Sequence, residues 1–380
     1  MSRHPTPRPL ARRPTVTVVM PCYNYGHFLP RALGSVLDQP GVDVDAIVID
    51  DASPDGSGAV VRALGAADDR IRAIVHERNR GHIATYNEGL EQATGDYVVL
   101  LSADDALTPG ALARATALLE AEPSVGFAYG FPLVFEDEPP PATTRVRSWS
   151  VWPGAAWLER RARTGENCIH NPEVVMRTSV QHAIGGYDPR LPHSGDLEMW
   201  LRAAAVADVG RVNGPAQAYY RVHRDSMQRT TFAGHVNDLE GRLDAFRAVL
   251  VGPDARVAGG EALYAAARRA LALRALDYAR VAYDHLRADR EPVAEYLAFA
   301  ERVWPAARRH RKWRQVQRRA ELAPDRVARG VAGRSRRVAL DLEGRLRWRR
   351  WRRSGGSLDA GPASAASSRR RRAGTWSTGA

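Results

Sequence analysis

The sequence predicts an α/β protein: a mostly parallel sheet flanked by helices, followed by an α-helical extension and a basic tail. Three observations carry this. Short apolar runs alternate with stretches of helical period, four times within about 120 residues. Two of those runs, Ala46–Ile49 and Val98–Leu101, lead into paired carboxylates, Asp50-Asp51 at once and Asp104-Asp105 after Ser102-Ala103. From His235 onward the period is helical only.

Residues 1–14 are rich in Pro and Arg and are expected to be disordered. Val16–Met20 is the first strand, and Pro21-Cys22-Tyr23-Asn24-Tyr25-Gly26 is the loop at its C-terminal end. Leu29, Ala32, Leu33, Val36 and Leu37 line one face of the first helix. Ala46–Ile49 is the second strand, and Asp50-Asp51 leads into the turn at 52–57. Val60, Val61 and Leu64 mark the second helix. Ile71–Val75 is the third strand, and Asn79-Arg80-Gly81-His82 turns into a helix that ends near Gln92. Val98–Leu101 is too short for a helix core and suits a strand buried on both faces. Thr108 as N-cap, with Pro109 at the first helical position, opens the fourth helix through Leu112, Ala115 and Leu119. Right-handed crossovers then bring the loops at the strand C-termini to one edge of the sheet.

Beyond this, Val125 to Phe135 is another strand pattern, and 136–141 reads as a solvent loop. Trp149, Trp152 and Trp157 cluster in a segment that either offers a stacking surface or anchors a loop. Residues 167–177 return to the sheet, and 185–188 form a turn. Asp196 opens a helix carrying Leu197, Trp200 and Leu201, on which Glu198 and Arg202 are spaced to pair on the outer face. Residues 218–223 form a last strand ending on His223. Helices follow through Val236–Leu250, Glu261–Arg287 and a start at Pro292, and 354–380 has the low-complexity composition of an unfolded tail.

The net charge of +12 is unevenly spread. Residues 301–380 hold 23 Arg and Lys against 6 Asp and Glu, while the rest of the chain is slightly acidic. The tail interleaves Trp313, Trp348 and Trp351 with arginine, which suits an anionic membrane surface better than any specific nucleic acid. An inert tail is the alternative. Cys22 and Cys168 make no disulfide framework or metal spacing, and no apolar run approaches the roughly 18 residues of a membrane span. The N-terminus does not read as a signal peptide. A cytoplasmic location is expected, peripheral on the inner face of the cell membrane.

Ligands of open α/β sheets sit at strand C-terminal ends. Two carboxylates there are costly unless they hold a cation, and a divalent metal carrying a diphosphate is the natural candidate. Each acid has a plainer reading. Asp104 could be a solvated turn carboxylate, Asp105 a cap for the next segment and Asp196 an N-cap. Tyr23 could be a core-edge aromatic, Arg80 a surface arginine and His223 a polar strand end.

Seven pieces stand in order: residues 18–24, 49–57, 79–81, Asn87, 93–105, 195–200 and 220–223. Over residues 15–230 this set resembles the family 2 glycosyltransferases, nucleotide-sugar enzymes with a GT-A fold. The resemblance covers a transferase domain at 15–232 and does not extend past it; composition and period set off 1–14 (disordered), 233–305 (helical extension) and 306–380 (Arg-rich, partly disordered tail). It implies nucleotide-sugar contacts from Pro21, Tyr23, Asn24, Asp51, Asn79, Arg80, Gly81, Asn87, Ser102 and Ala103, with Asp51 accepting the N3–H of a uracil. It implies Mn²⁺ or Mg²⁺ on Asp104, Asp105 and His223, and Asp196 as the general base of an inverting transfer to a glycan or lipid-linked hydroxyl. Two positions depart from the family pattern: Ser102 stands where an Asp is usual, and Gly195 where many members have Glu. They motivate an alternative, a transferase-like binding or scaffold protein. A sugar nucleotidyltransferase would want a glycine-rich phosphate loop and a lysine, and the first lysine is Lys312.

Overall fold

The computed structural model describes residues 2–223, 234–284 and 290–321, and singly Leu342, Leu346 and Arg349. It divides into two compact units, Met1–Ala272 and Leu273–Ala380.

The first unit opens with the predicted alternation. Strands β1 (Thr15–Cys22), β2 (Asp43–Asp50), β3 (Ile71–Val75) and β4 (Tyr97–Leu100) are separated by helices α1 (Leu29–Leu37), α2 (Ser57–Ala67) and α3 (His82–Glu91). After β4 come β5 (Ala106–Leu107), α4 (Ala111–Ala121), β6 (Val125–Tyr129), β7 (Pro132–Phe135) and β8 (Ser148–Trp152). Then follow α5 (Gly154–Thr164), β9 (Val175–Arg177), α6 (Thr178–Ile184), α7 (Gly195–Val206), β10 (Asp208–Asn213) and β11 (Ala218–Arg221). Helix α8 (His235–Val251) and helix α9 (Gly260–Asp284), of which this unit includes the residues up to Ala272, come next.

Eight strands form the main sheet in the order β3-β2-β1-β4-β9-β6-β10-β8. The β3-β2-β1-β4 part is parallel, with Val18 opposite both Ala46 and Val99. Chain order runs outward from β1 to β3, then resumes on the other side of β1 with β4. That reversal parts the loops after β1 and β4 and opens a crevice at the strand C-termini. Apolar side chains of β1, β4, α1 and α4 form the core below it. A small sheet, β5-β11-β7, stands beside the crevice and carries the end of β11 toward it.

Several sequence expectations are corrected. Residues 2–14 are laid on the domain instead of being disordered. Arg3 pairs its backbone with Val151, and Arg12 bonds Asp96 and Glu120. Thr108 does not cap α4; Gly110, with φ of 72°, does. The Thr108 hydroxyl instead bonds the Ala216 carbonyl, tying α4's approach to the small sheet. Val125 to Phe135 splits into β6 and β7, which lie in different sheets. Strand β10 escaped the hydrophobic pattern because it buries Arg211 and Asn213. These polar groups are met inside, Arg211 by Asn213 and Asn213 by Ser148 and Ser150. All three clustered tryptophans are buried, so the anchor reading holds for them.

In the second unit, α10 (Val293–Val303) follows the expected start at Pro292, while a 3-10 turn (Pro305–Arg309) and α11 (Arg311–Glu321) fold where an Arg-rich tail was expected from residue 306. Trp313 and Val316 are buried, and Arg319 pairs with Asp284. Trp313 is therefore a core residue. Trp348, Trp351 and the tail at 354–380 lie outside the described residues. Among those described, no helix is long and apolar enough to cross a membrane.

Candidate active site

The loops after β1 and β2 are stitched by serines. Asp50 accepts from the Ser53 hydroxyl at 2.5 Å and from the Ser53 N–H at 3.1 Å, so it orders the turn. Ser53 Oγ in turn accepts the Asn24 N–H at 2.9 Å, and Ser57 Oγ accepts the Gly26 N–H at 2.8 Å. Asn24 and Ala52 both adopt left-handed backbone, with φ of 62° and 58°. Non-glycine residues sit there only where surroundings over-determine them, and such positions cluster at ligand sites. Tyr23 is left 46% exposed above this loop.

Asp51 is buried at the end of β2. Its Oδ1 accepts from His76 Nδ1 at 2.8 Å and from the Arg80 N–H at 2.8 Å, and its Oδ2 accepts from the Gly81 N–H at 2.9 Å. Burial opposes the charge, but these hydrogen bonds outweigh it and hold the carboxyl below its ordinary range. Gly81 can serve both Asp51 and the Asn79 side chain because its φ is 84°, which glycine reaches without strain. The Arg80 side chain pairs with Glu88 at 2.7 Å. Asn87 donates to the Tyr187 carbonyl at 2.9 Å and accepts the Tyr187 N–H at 2.6 Å. It thus clamps the 185–188 turn.

Asp104 and Asp105 follow β4 and the tight turn in which the Asp105 N–H bonds the Ser102 carbonyl, with Ala103 buried between them. Asp104 Oδ2 lies 3.1 Å from His223 Nε2. Asp105 Oδ1 accepts the Arg221 N–H at 2.9 Å, pinning the end of β11. The Arg221 guanidinium lies 4.7 Å from the Phe28 ring centre and 4.4 Å from that of Phe135, which further fixes the strand that presents His223. Burial raises the Asp104 carboxyl, partly offset by His223; burial, then the neighbouring Asp104 charge, raises Asp105 well above its ordinary range. Among the described residues no group of three or more His, Cys, Asp and Glu is placed to hold a metal ion, so Asp104, Asp105 and His223 do not form the single ligand set expected from the sequence. The donor set is instead Asp104 beside His223, with Asp105 engaged by the Arg221 N–H. That fits a Mg²⁺ or Mn²⁺ ion which takes its remaining ligands from phosphate and water.

Asp196 lies in the first turn of α7, half-buried. Its Oδ1 accepts from the Tyr187 hydroxyl at 3.0 Å. Burial pushes its carboxyl up to about 6, with the Tyr187 hydrogen bond opposing. Gly195 is explained by this contact: a Cβ there would come within 2.8 Å of the Tyr187 ring. Glu198 and Arg202 do pair, but inside the fold and not on the outer face. Arg202 spans from Glu198 to the carbonyls of Ile184 and Gly186, so the pair braces the turn that carries Tyr187.

The three acids share a neighbourhood. The buried hydroxyls of Tyr86 and Tyr220 both feel the charges of Asp104, Asp105 and Asp196, and both are raised mainly by burial. Tyr86 also packs edge-on against Tyr187, with ring centres 5.6 Å apart. Sequence reasoning missed Tyr86, Tyr187, His76 and Glu88. Tyr187 reads only as part of the 185–188 turn, Tyr86 carries no signal inside its helix, and the His76–Glu88 pair has no helical or strand spacing to reveal it.

An acid-lined crevice at the switch point of a mostly parallel sheet, flanked by a small second sheet, is the layout of the GT-A fold. Residues 17–181 match the family model described as Glycosyl transferase family 2. Residues of this chain are 34% identical over 119 positions to the GalNAc(5)-diNAcBac-PP-undecaprenol beta-1,3-glucosyltransferase of Campylobacter jejuni, covering 31% of this chain and 37% of that one. The chain spans less than two thirds of most curated relatives it matches, 62% and 30% of the length of two others. The fold is similar to S. aureus TarS 1–349 in complex with UDP-GlcNAc, with a TM-score of 0.53 at 16% identity over 78% of this chain and 92% of that one. It is also similar to the mannosyltransferase PcManGT from Pyrobaculum calidifontis in complex with GDP-Man and Mn²⁺, with a TM-score of 0.51 at 18% identity over 79% and 90%.

Proposed function

We propose that the chain is an inverting glycosyltransferase that moves a sugar from a UDP-sugar to a hydroxyl of a glycan or lipid-linked acceptor. The observation that carries this is Asp196. It is a carboxylate with a pKa raised to about 6, oriented by Tyr187, in the same neighbourhood as Asp104 and Asp105. A base titrating near the working pH transfers protons effectively. Asp196 takes the proton of the acceptor hydroxyl as its oxygen bonds to the anomeric carbon from the face opposite the nucleotide. The bond from that carbon to the diphosphate oxygen breaks, and the nucleoside diphosphate leaves with the electron pair. Asp51 takes the base N–H, and Tyr23 and the Asn24 loop border the base. Pro21, Asn79 and Ala103 shape the donor loops. Asp104, with His223 beside it and Asp105 behind, would hold Mg²⁺ or Mn²⁺, which supplies neutralisation of the departing diphosphate.

The lipid-linked acceptor of the Campylobacter relative and the nucleotide sugars bound by the two structural neighbours support this reading of substrate class. The exposed arginines Arg309, Arg311, Arg314 and Arg318 support docking on an anionic membrane surface, on the inner face of the cell membrane. Calorimetry of UDP with Mn²⁺ tests the donor site. Wild type is expected to bind, and Asp104→Ala to bind at least about tenfold more weakly. Absence of UDP binding to wild type would favour the scaffold alternative.

A further inference from the structure

His76 stands one residue past β3, with its side chain 2% exposed. Its two ring nitrogens face two carboxylates: Nδ1 lies 2.8 Å from Asp51 Oδ1, and Nε2 lies 2.9 Å from Glu88 Oε2. The same Glu88 oxygen accepts Arg80 Nη1 at 2.7 Å. Each ring nitrogen thus has a carboxylate oxygen within hydrogen-bond reach, and the ring bridges the two acids. An apolar side chain would fill this space without the cost of burying a polar ring. The arrangement specifies geometry at the one carboxylate of the β2 loop that the donor site needs. Three of the roughly four acceptor positions of a carboxylate are taken on Asp51, by His76, Arg80 N–H and Gly81 N–H. Among the described residues, a single one on Oδ2 is left.

We infer that His76 is a positioning residue for donor recognition: by bridging Asp51 to Glu88 it sets the direction in which the remaining Asp51 lone pair meets the N–H of the nucleobase, and it ties that contact to Arg80 through Glu88. The inference rests on the proposed reading of Asp51 as the base acceptor. A latch that merely joins α3 to the sheet would make the same contacts, but its loss would not discriminate between bases.

The test uses the full chain and two probes, UDP and UDP methylated at N3 of the uracil, each with Mn²⁺. Calorimetry on wild type should show UDP preferred by about tenfold, the scale of one net hydrogen bond to a charged group. His76→Leu should lose about tenfold in UDP affinity yet bind the methylated nucleotide within about twofold of wild type, as expected when two changes remove the same interaction. His76→Gln, which keeps a donor toward Asp51, should recover part of the loss, and Glu88→Gln should fall between. With a sugar donor, KM should rise while kcat holds, the mark of lost uniform binding. Because both nucleotides are measured on each variant, a general loss of folded protein cancels. An equal loss for both nucleotides, or no loss in His76→Leu, overturns the inference while leaving Asp51 in place. Equal binding of both nucleotides to wild type overturns the Asp51 reading and the inference with it.

Discussion

Asp196 illustrates how one side chain's acidity is set by its surroundings. At a helix start an Asp is usually a solvated cap with a low pKa. Here enclosure raises it to about 6, above the usual carboxylate range. Activity through the ionised base should therefore rise with pH and level off, with a limb near 6 in kcat/KM that Asp196→Asn removes. The stability consequence has the opposite sign. Between about 4 and 6 the unfolded chain gives up this proton first, so the folded state loses stability as pH climbs through that window. Asp51 is the reverse case, held ionised by three donors, and it stabilises the fold above its unfolded pKa. Its contribution fades in acid. Both carboxylates were legible as candidates from their strand-end and helix-start positions. Their opposite pKa directions were not, because the enclosure that raises Asp196 and the donors that lower Asp51 come from elsewhere in the chain.

At the scale of elements, the alternation of short apolar runs and helical periods was enough to order β1 through α4. Position in the sheet was less legible. Strand β9 inserts antiparallel between β4 and β6 with only three residues, and β10 buries an arginine. Neither carries the uniform apolar signal of β4. Helix α7 shows the same limit. Its Glu198–Arg202 spacing predicted a pair, yet the pair faces inward, where Arg202 closes the turn before Tyr187. Arg202→Met should leave a buried carboxylate unmatched and cost about 3 kcal/mol, a typical penalty for breaking a buried pair. Thermal melts would register this, and activity should fall further than stability as Tyr187 loses its footing. A change in Tm of under a degree would contradict the bracing role.

Over the whole molecule, charge is partitioned between a slightly acidic catalytic region and a basic end. Composition revealed that division, but not that residues 311–321 fold into a helix with one face buried by Trp313 and Val316. The heptad-like spacing of Arg311, Arg314 and Arg318 puts three guanidiniums on its exposed side. Binding to vesicles containing anionic lipid should weaken with salt, and should drop by about tenfold or more when all three become Gln, at roughly 1 kcal/mol per arginine near the surface. Equal binding to neutral vesicles would exclude this electrostatic mode, and binding to RNA in preference to lipid would redirect the surface to another partner.

The central claim is that one rim of the sheet holds the donor while a separate acid activates the acceptor. The most direct measurement compares turnover and donor affinity in Asp196→Asn, using whichever UDP-sugar the wild-type chain consumes. UDP affinity within about twofold of wild type, with turnover lower by a factor of about 10² to 10⁴, is the predicted result. Unchanged turnover in that variant, with normal folding, would contradict the assignment of the base.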